Sequence, residues 1–271
     1  MKLANVASAV ALVVAAGSAC WAELPTTDQL AAWFDAADRS TLFADCSSER
    51  PISAAGDRVG CWRSKTGDHT LIQPDAEWRP TYRDNVRQHG VLELADKRDL
   101  FYSRELPAVV AQRDWTIFLV TRLNAGLRKT NLLQFEGGGY GRGFQTKRRC
   151  DRCLHFQNDV HDLHSGFPED ILRDGVSLDD AWHVFEAVSD NYDLTALLDG
   201  ALLGSGSLSG QGKPGLSKGI FMIAGDTQKK NTPYSTAGGH VAELVIYERP
   251  LTAGERDAVR GYLLAKWGIE P

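Results

Sequence analysis

Short apolar segments, separated by turns rich in glycine and Asx residues, recur through much of this chain. The clearest segments are rich in β-branched and aromatic residues, which favour strands; they are residues 115–123, 131–135, 182–188 and 220–224. The turn segments are residues 137–143, 189–193, 198–215 and 237–239. Strands and turns at this spacing predict an all-β fold, a jelly-roll sandwich of two antiparallel sheets.

Local signals predict three further elements. Asp199 and Gly200 follow a strand-like run and predict a two-residue hairpin turn. Thr252 and Glu255 have the spacing of a capping box, and Gly268 follows the apolar periodicity, so we predict a C-terminal helix that lies on the sandwich. Residues 28–38 predict a short helical turn that leads into a strand.

The N-terminus predicts export. Residues 1–22 contain Lys2, an apolar stretch and a small-x-small cleavage site that ends at Ala22, as secretory signals do. An alternative is a lipoprotein processed at Cys20. Residues 23–271 would then form one sandwich domain that is secreted or periplasmic, with no membrane span. A formal net charge of −5 argues against a nucleic-acid partner.

Four cysteines remain in the exported part of the chain: Cys46, Cys61, Cys150 and Cys153. In an oxidising compartment three pairings are possible, and proximity in sequence favours Cys46 with Cys61 and Cys150 with Cys153. Cys150 and Cys153 also have the spacing of a metal site or a redox dithiol. No second such pair completes a zinc site.

Several segments resemble, in order, those of one superfamily of sandwich domains. Residues 32–38, 61–73, 79–82, 91–102, 185–206 and 240–270 are similar to strands and the closing helix of concanavalin A-like, laminin-G-like (LamG) domains of bacterial secreted proteins. The resemblance implies a lectin-like module that binds a glycan or a cell-surface protein without catalysis. It leaves the oligomeric state open.

An alternative within the same superfamily is a carbohydrate-active enzyme, either a glycoside hydrolase or a polysaccharide lyase. The chain has no E-x-D-x-E or E-x-D-x-x-E string of paired carboxylates. Residues 103–106 faintly resemble a lyase strand, but Pro107 would interrupt its hydrogen-bond ladder. We therefore predict no catalytic residues and treat an enzyme with an atypical active site as the second hypothesis.

The resemblance also implies a structural calcium site, since many such domains hold one. Carboxylates are the ligands that Ca²⁺ prefers, and the matching positions carry Asp96, Asp99 and Glu243. The alternative is that Asp96 and Asp99 cap a turn while Glu243 faces solvent or an arginine.

Candidate ligand-binding residues combine cations with aromatic rings. The guanidinium groups of Arg142, Arg148 and Arg149 suit carboxylate or sulfate groups of an acidic glycan. Four aromatic residues in turn-like segments suit the apolar faces of sugars; they are Trp62, Trp78, Tyr140 and Tyr234. Trp33, Trp115, Trp182 and Trp267 lie in apolar patterns and are predicted to be core residues.

Overall fold

The computed structural model describes residues 23–95, 99–110, 113–123, 131–137, 140–147, 150–158, 181–207, 220–228, 232–235 and 238–270. In chain order the strands are β1 (Leu30–Asp35), β2 (Leu42–Phe43), β3 (Cys61–Arg63), β4 (Thr70–Ile72), β5 (Thr81–Val86), β6 (His89–Leu94), β7 (Phe101–Ser103), β8 (Trp115–Leu123), β9 (Asn131–Gly137), β10 (Tyr140–Lys147), β11 (Cys150–Asn158), β12 (His183–Asp190), β13 (Asp193–Leu198), β14 (Ala201–Ser207), β15 (Ile220–Ile223), β16 (Gly225–Gln228), β17 (Thr232–Ser235) and β18 (Gly239–Tyr247). The α-helices are α1 (Pro107–Val110) and α2 (Ala253–Trp267), and two 3-10 helices span Arg39–Thr41 and Ala76–Trp78.

The strands form two large antiparallel sheets. The first sheet has the order β14-β13-β12-β8-β18-β6-β5, with β1 also paired to β18. The second sheet has the order β11-β10-β9-β15-β7-β4-β3-β2, and β16 pairs with β17 separately. The predicted all-β sandwich with a C-terminal helix is confirmed.

The Asp199–Gly200 hairpin is also confirmed. β13 pairs with β14 so that Leu198 faces Ala201 across the turn. Asp199 and Gly200 have φ of 50° and 89°, the positive values that a type I′ turn requires at both central positions. Residues 201–207 form the edge strand β14, as the resemblance of residues 185–206 to a strand pair implies, while residues 208–215 of the predicted turn segment lie outside the described part.

The inner faces of the two sheets enclose the main core. Phe34 from β1 and Leu119 from β8 meet Trp62, Phe101 and Phe221 from the second sheet, and all five are buried. The predicted turn that leads into a strand lies at residues 28–29, where Leu30 N–H donates to the Thr27 carbonyl, and residues 30–35 then pair with β18. The turn is not helical, because Gln29 has φ of 53°.

The outer face of the first sheet carries α2. Val259, Leu263 and Trp267 of this helix pack on apolar side chains of β8 and β18, such as Phe118 and Val245. Both sides of β18 are therefore covered, which explains why the strand is apolar almost throughout.

Charged groups fasten the same helix to β12. Glu186 is fully buried, and its Oε2 accepts a hydrogen bond from Arg260 Nη1 at 2.7 Å, while its Oε1 lies 2.8 Å from Arg256 Nε. Burial raises the pKa of Glu186 despite the two guanidinium groups. This contact orients α2 along the sheet as well as holding it there.

Both ends of α2 have the predicted caps. Thr252 and Glu255 exchange the reciprocal hydrogen bonds of a capping box, and Gly268 adopts the left-handed conformation at the C-terminal end with φ of 58°. Arg249 adds an ion pair, with its Nη2 2.6 Å from Glu255 Oε1.

We expect Glu255→Gln to lower stability at neutral pH and to have little effect in acid. The Arg249 ion pair and the Thr252 hydrogen bonds lower the pKa of Glu255 to about 2. A carboxyl with a depressed folded-state pKa stabilises the protein above its unfolded pKa of about 4.3 and loses that contribution as the pH falls further. The difference in urea midpoint between wild type and variant should therefore shrink as the pH falls from 5 to 2, the interval between the unfolded and folded pKa values of Glu255.

A second glutamine variant provides the control. Glu49 lies exposed in a loop, and Glu49→Gln should change the midpoint little at any pH in this range. A Glu255→Gln deficit that stays constant down to pH 2 would contradict the assignment, whose pKa of about 2 requires it to shrink.

One disulfide is present among the described residues: Cys46 is bonded to Cys61, as predicted, and this bond is compatible with an extracellular location. The backbone of β11 carries Cys150 and Cys153, whose side chains lie outside the described part, so their pairing stays a prediction. No described helix has the length and apolar character needed to cross a membrane.

Candidate functional site

A notch opens where two strands share one side of β18. β1 pairs with residues 243–247 of β18 and ends at Asp35, opposite Glu243. β6 pairs with residues 239–241 of the same strand and begins at His89. The ends of β1 and β6 therefore meet near Glu243, and α2 covers this region through Lys266.

The notch is a cavity of about 390 Å³, which we call the notch pocket. Its lining carries three carboxylates, three lysine or arginine side chains and one histidine; the residues are Asp35, Ala37, Asp38, Arg39, Lys65, Tyr82, Asp84, Gln88, His89, Gly90 and Lys266. Acidic and basic side chains are thus equal in number before the histidine is considered.

The floor of the notch pocket is a buried ion cluster. Lys266 Nζ lies 2.8 Å from Asp35 Oδ2 and 2.7 Å from Glu243 Oε2. Indole N–H groups of Trp33 and Trp267 donate to the two Glu243 oxygens, each at 2.7 Å. Every charged atom in this cluster has a partner, as burial requires.

The cluster raises the proton affinity of both Glu243 and Lys266. Burial raises the pKa of Glu243, and the negative charge of Asp35 raises it further against the opposing effect of Lys266. Burial alone would lower the pKa of Lys266, but Glu243 and Asp35 outweigh it and raise that pKa above its ordinary value. Lys266 is therefore charged at any physiological pH.

His89 forms the side of the pocket nearest to α2. Its Nε2 lies 3.0 Å from the carbonyl oxygen of Lys266, so this nitrogen carries the donated proton, and its ring meets Trp267 edge-on. Burial is the main cause of a lowered His89 pKa. The imidazole is therefore neutral at pH 7 and adds no charge to the pocket.

Tyr82 and Arg39 build the opposite side. Arg39 Nε donates to the Tyr82 hydroxyl at 3.0 Å, and Arg39 Nη2 donates to Asp84 Oδ2 at 2.8 Å. The Tyr82 ring passes so close to Gly90 on the neighbouring strand that a β-carbon there would lie 2.6 Å from Tyr82 Cζ. Only glycine at position 90 permits this approach.

Lys65 completes the charge pairing. Its Nζ lies 3.4 Å from Asp35 Oδ2 and 3.8 Å from Asp38 Oδ2, and 3.9 Å from the centre of the Trp33 ring. Each cation that lines the notch pocket therefore contacts at least one carboxylate.

The structure corrects one predicted aromatic ligand residue. Trp62 is fully buried between the sheets, with its ring centre 5.5 Å from that of Phe34 and 5.9 Å from that of Phe101. The prediction that Trp62 contacts a sugar is wrong, because β3 turns this ring into the core. Trp78 is half-buried at the end of a 3-10 helix and does not line the notch pocket.

The other predicted ligand residues are not among those that line the notch pocket. Tyr140 and Arg142 lie on β10 and Tyr234 on β17, strands whose side chains there lie outside the described part. Arg148 and Arg149 lie outside the described residues altogether. Their roles stay predictions.

The structure also corrects the predicted role of Glu243 as a calcium ligand. Its oxygens are occupied by Lys266 and two indole N–H groups, and an ammonium group stands where a cation would bind.

Asp99, a second predicted calcium ligand, is buried, accepts from Ala95 N–H at 3.0 Å and lies 3.3 Å from Arg58 Nη2. Within the described ranges, no three His, Cys, Asp or Glu side chains form a group that could hold a metal ion. Asp96 lies outside those ranges, so the calcium prediction itself is untested.

None of the residues that line the notch pocket was predicted as a site residue. The signal available was the density of charge in residues 35–39, which resembles an ordinary solvated turn. The residues that contact them in the pocket are distant in sequence: Arg39 contacts Tyr82, and Asp35 contacts Lys266.

Comparisons with known proteins define the class of this fold. No protein-family profile and no curated protein matches the sequence. The fold is similar to Trypanosoma rangeli sialidase in complex with a difluoro-KDN, with a TM-score of 0.55, 12% identity, and coverage of 89% of this chain and 33% of that chain. It is similar to the binding domain of Paraclostridial Mosquitocidal Protein 1, with a TM-score of 0.54, 12% identity, and coverage of 87% and 52%.

A second Trypanosoma rangeli sialidase structure, in complex with sialic acid, has a TM-score of 0.52, 15% identity, and coverage of 90% of this chain and 34% of that chain. The chain thus spans between a third and about half of these proteins. At such identities the likeness establishes the two-sheet β-sandwich fold alone. Membership of the LamG or concanavalin A-like group stays a prediction.

Proposed function

We propose that this chain is an exported, non-catalytic module that binds a glycan in the notch pocket. The observation that carries the proposal is a cavity whose lining presents carboxylate, guanidinium, ammonium, amide and phenol groups side by side. Sugar hydroxyls both donate and accept hydrogen bonds, so they match a lining of mixed donors and acceptors better than an apolar ligand would.

The size and position of the cavity support this function. Its volume of about 390 Å³ lies in the range of small-molecule sites, ~300–1,000 Å³. Strands and a docked helix supply Asp35, Tyr82, Asp84 and Lys266, so the groups are held by regular structure. A rigid lining reduces the entropy lost on binding.

The folds of the comparison proteins agree with a role in glycan recognition. Two of the similar structures are of a sialidase with a sugar bound, and a third is a binding domain. The disulfide between Cys46 and Cys61 agrees with an oxidising, extracellular or periplasmic location.

The burial and the pairing of the carboxyl groups in and below the pocket favour binding over catalysis. A glycosidase needs one protonated carboxyl within reach of the glycosidic oxygen. Burial raises the pKa of Glu243, but this residue is 0% exposed and both its oxygens are hydrogen-bonded to the protein. The pocket carboxylates Asp35, Asp38 and Asp84 are each paired with a cation.

The test is retention of the exported protein on immobilised polysaccharides, combined with assays for new reducing ends and for unsaturated uronate absorbance. We expect retention on at least one polysaccharide and no product. New reducing ends or an unsaturated uronate would establish the alternative function, a carbohydrate-active enzyme. Loss of retention in EDTA, restored by added Ca²⁺, would support the predicted calcium site, and unchanged retention would mean that binding in the notch pocket needs no calcium.

A further inference from the structure

We infer that the notch pocket selects an uncharged saccharide and rejects acidic ones. This inference rests on the proposed function and specifies the ligand class of the same pocket. The relevant feature is that its cations are already neutralised from within the protein. Arg39 contacts Asp84, Lys65 contacts Asp35 and Asp38, and Lys266 contacts Asp35.

The lining offers an acidic sugar no cation that is not already paired with a protein carboxylate. Recognition of a carboxylate or sulfate generally uses an arginine fork or a lysine that faces the ligand. Here an acidic group at any of these cations would lie beside the protein carboxylate that already contacts the cation, so like charges would face each other. Glu243, directly behind Lys266 at 2.7 Å, adds a further negative charge.

The exposed pair at the mouth of the pocket suits neighbouring hydroxyl groups. The side chains of Arg39 and Asp84 are 42% and 39% exposed, so both retain free edges while they contact each other. A guanidinium donor and a carboxylate acceptor side by side can bind the oxygen of one hydroxyl and the proton of the next. A neutral sugar with adjacent hydroxyls satisfies both.

The test is a charge change at the mouth, Asp84→Asn, measured by affinity electrophoresis in about 0.15 M salt, which screens distant charges. The probes are neutral glucan, arabinan and galactan, and the acidic polymers polygalacturonate and alginate. We expect wild type to bind at least one neutral polymer and neither acidic one. Asp84→Asn should weaken neutral binding about tenfold, the size expected for loss of a hydrogen bond to a charged group. It should also gain retardation on uronates, because Arg39 is then unpaired.

Glu93→Gln is the matched control. Glu93 on β6 forms a similarly exposed ion pair, at 36% and 46%, with Arg83 on β5, the strand that also carries Asp84, but Glu93 does not line the pocket. Both variants remove one negative charge, so a difference between them in polymer binding must come from the position of Asp84 in the pocket. Glu93→Gln should behave as wild type.

The remaining outcomes separate two failures. Wild-type binding to uronates, or an Asp84→Asn variant that binds as wild type or no differently from Glu93→Gln, would overturn the inferred ligand class while glycan binding stands. Absence of wild-type binding to every polymer would overturn the proposed function itself.

Discussion

Replacement of Lys266 by methionine is expected to lower the free energy of unfolding by about 3–5 kcal/mol. Methionine fills much of the same volume but removes the charge that faces Asp35 and Glu243 at 2.8 Å and 2.7 Å. Glu243 is 0% exposed, so its carboxylate cannot turn to water. The cost arises from leaving buried negative charge without a cation.

The loss should also depend on pH in a defined direction. Without Lys266, folded Glu243 binds a proton more tightly than the unfolded chain does, so stability of the variant rises as the pH falls from about 7 towards the ordinary glutamate pKa of about 4.3. Urea unfolding followed by tryptophan fluorescence measures both effects. Adding Glu243→Gln to Lys266→Met should recover part of the loss.

Arg83→Met provides the comparison, because it removes a paired cation at the surface instead of in the core. Arg83 pairs with Glu93 where both side chains are exposed, and such pairs contribute at most about 1 kcal/mol. A Lys266→Met deficit no larger than that of Arg83→Met, or one that does not change with pH, would contradict the buried-cluster interpretation.

Gly90→Ala is expected to cost about 1–3 kcal/mol, the usual range for overpacking. The new β-carbon would lie 2.6 Å from Tyr82 Cζ, and Tyr82 is 1% exposed, so the ring has little room to withdraw. Displacement of the ring would break the hydrogen bond that holds Arg39 at the pocket mouth. Glycan retention should therefore weaken in the folded variant as well.

Gly261→Ala is the matched control. Gly261 lies exposed within α2, and a β-carbon there would meet nothing within 4 Å. Alanine is favoured over glycine in a helix by about 1 kcal/mol, so this variant should gain stability and leave retention unchanged. A neutral or stabilising Gly90→Ala variant would mean that Tyr82 does not occupy the position described.

Local sequence signals predicted the parts of the fold that depend on local interactions. The turn at Asp199 and Gly200 needs two positive φ values, and the caps at Thr252 and Gly268 satisfy backbone groups a few residues away. Strand β8 was predicted within its observed bounds because β-branched and aromatic residues fill it. These features need no knowledge of distant partners.

The predictions failed where a distant partner decides the structure. Residues 28–38 predict a helical turn before a strand, but pairing with β18 and burial of Phe34 make the chain extended already from Leu30. Trp62 is predicted to lie in a turn-like segment, yet it lies on β3, which directs its ring into the core. The notch pocket joins Asp35 to Lys266, and no local pattern connects them.

The dependence of the pocket on α2 has a consequence for how the protein matures. Lys266 supplies the floor, and it follows every strand in the polypeptide. Pairing of β1 with β18 places Asp35 opposite Glu243, and the ammonium group that neutralises these two carboxylates comes from α2. The notch pocket is therefore complete only after α2 has docked on the first sheet.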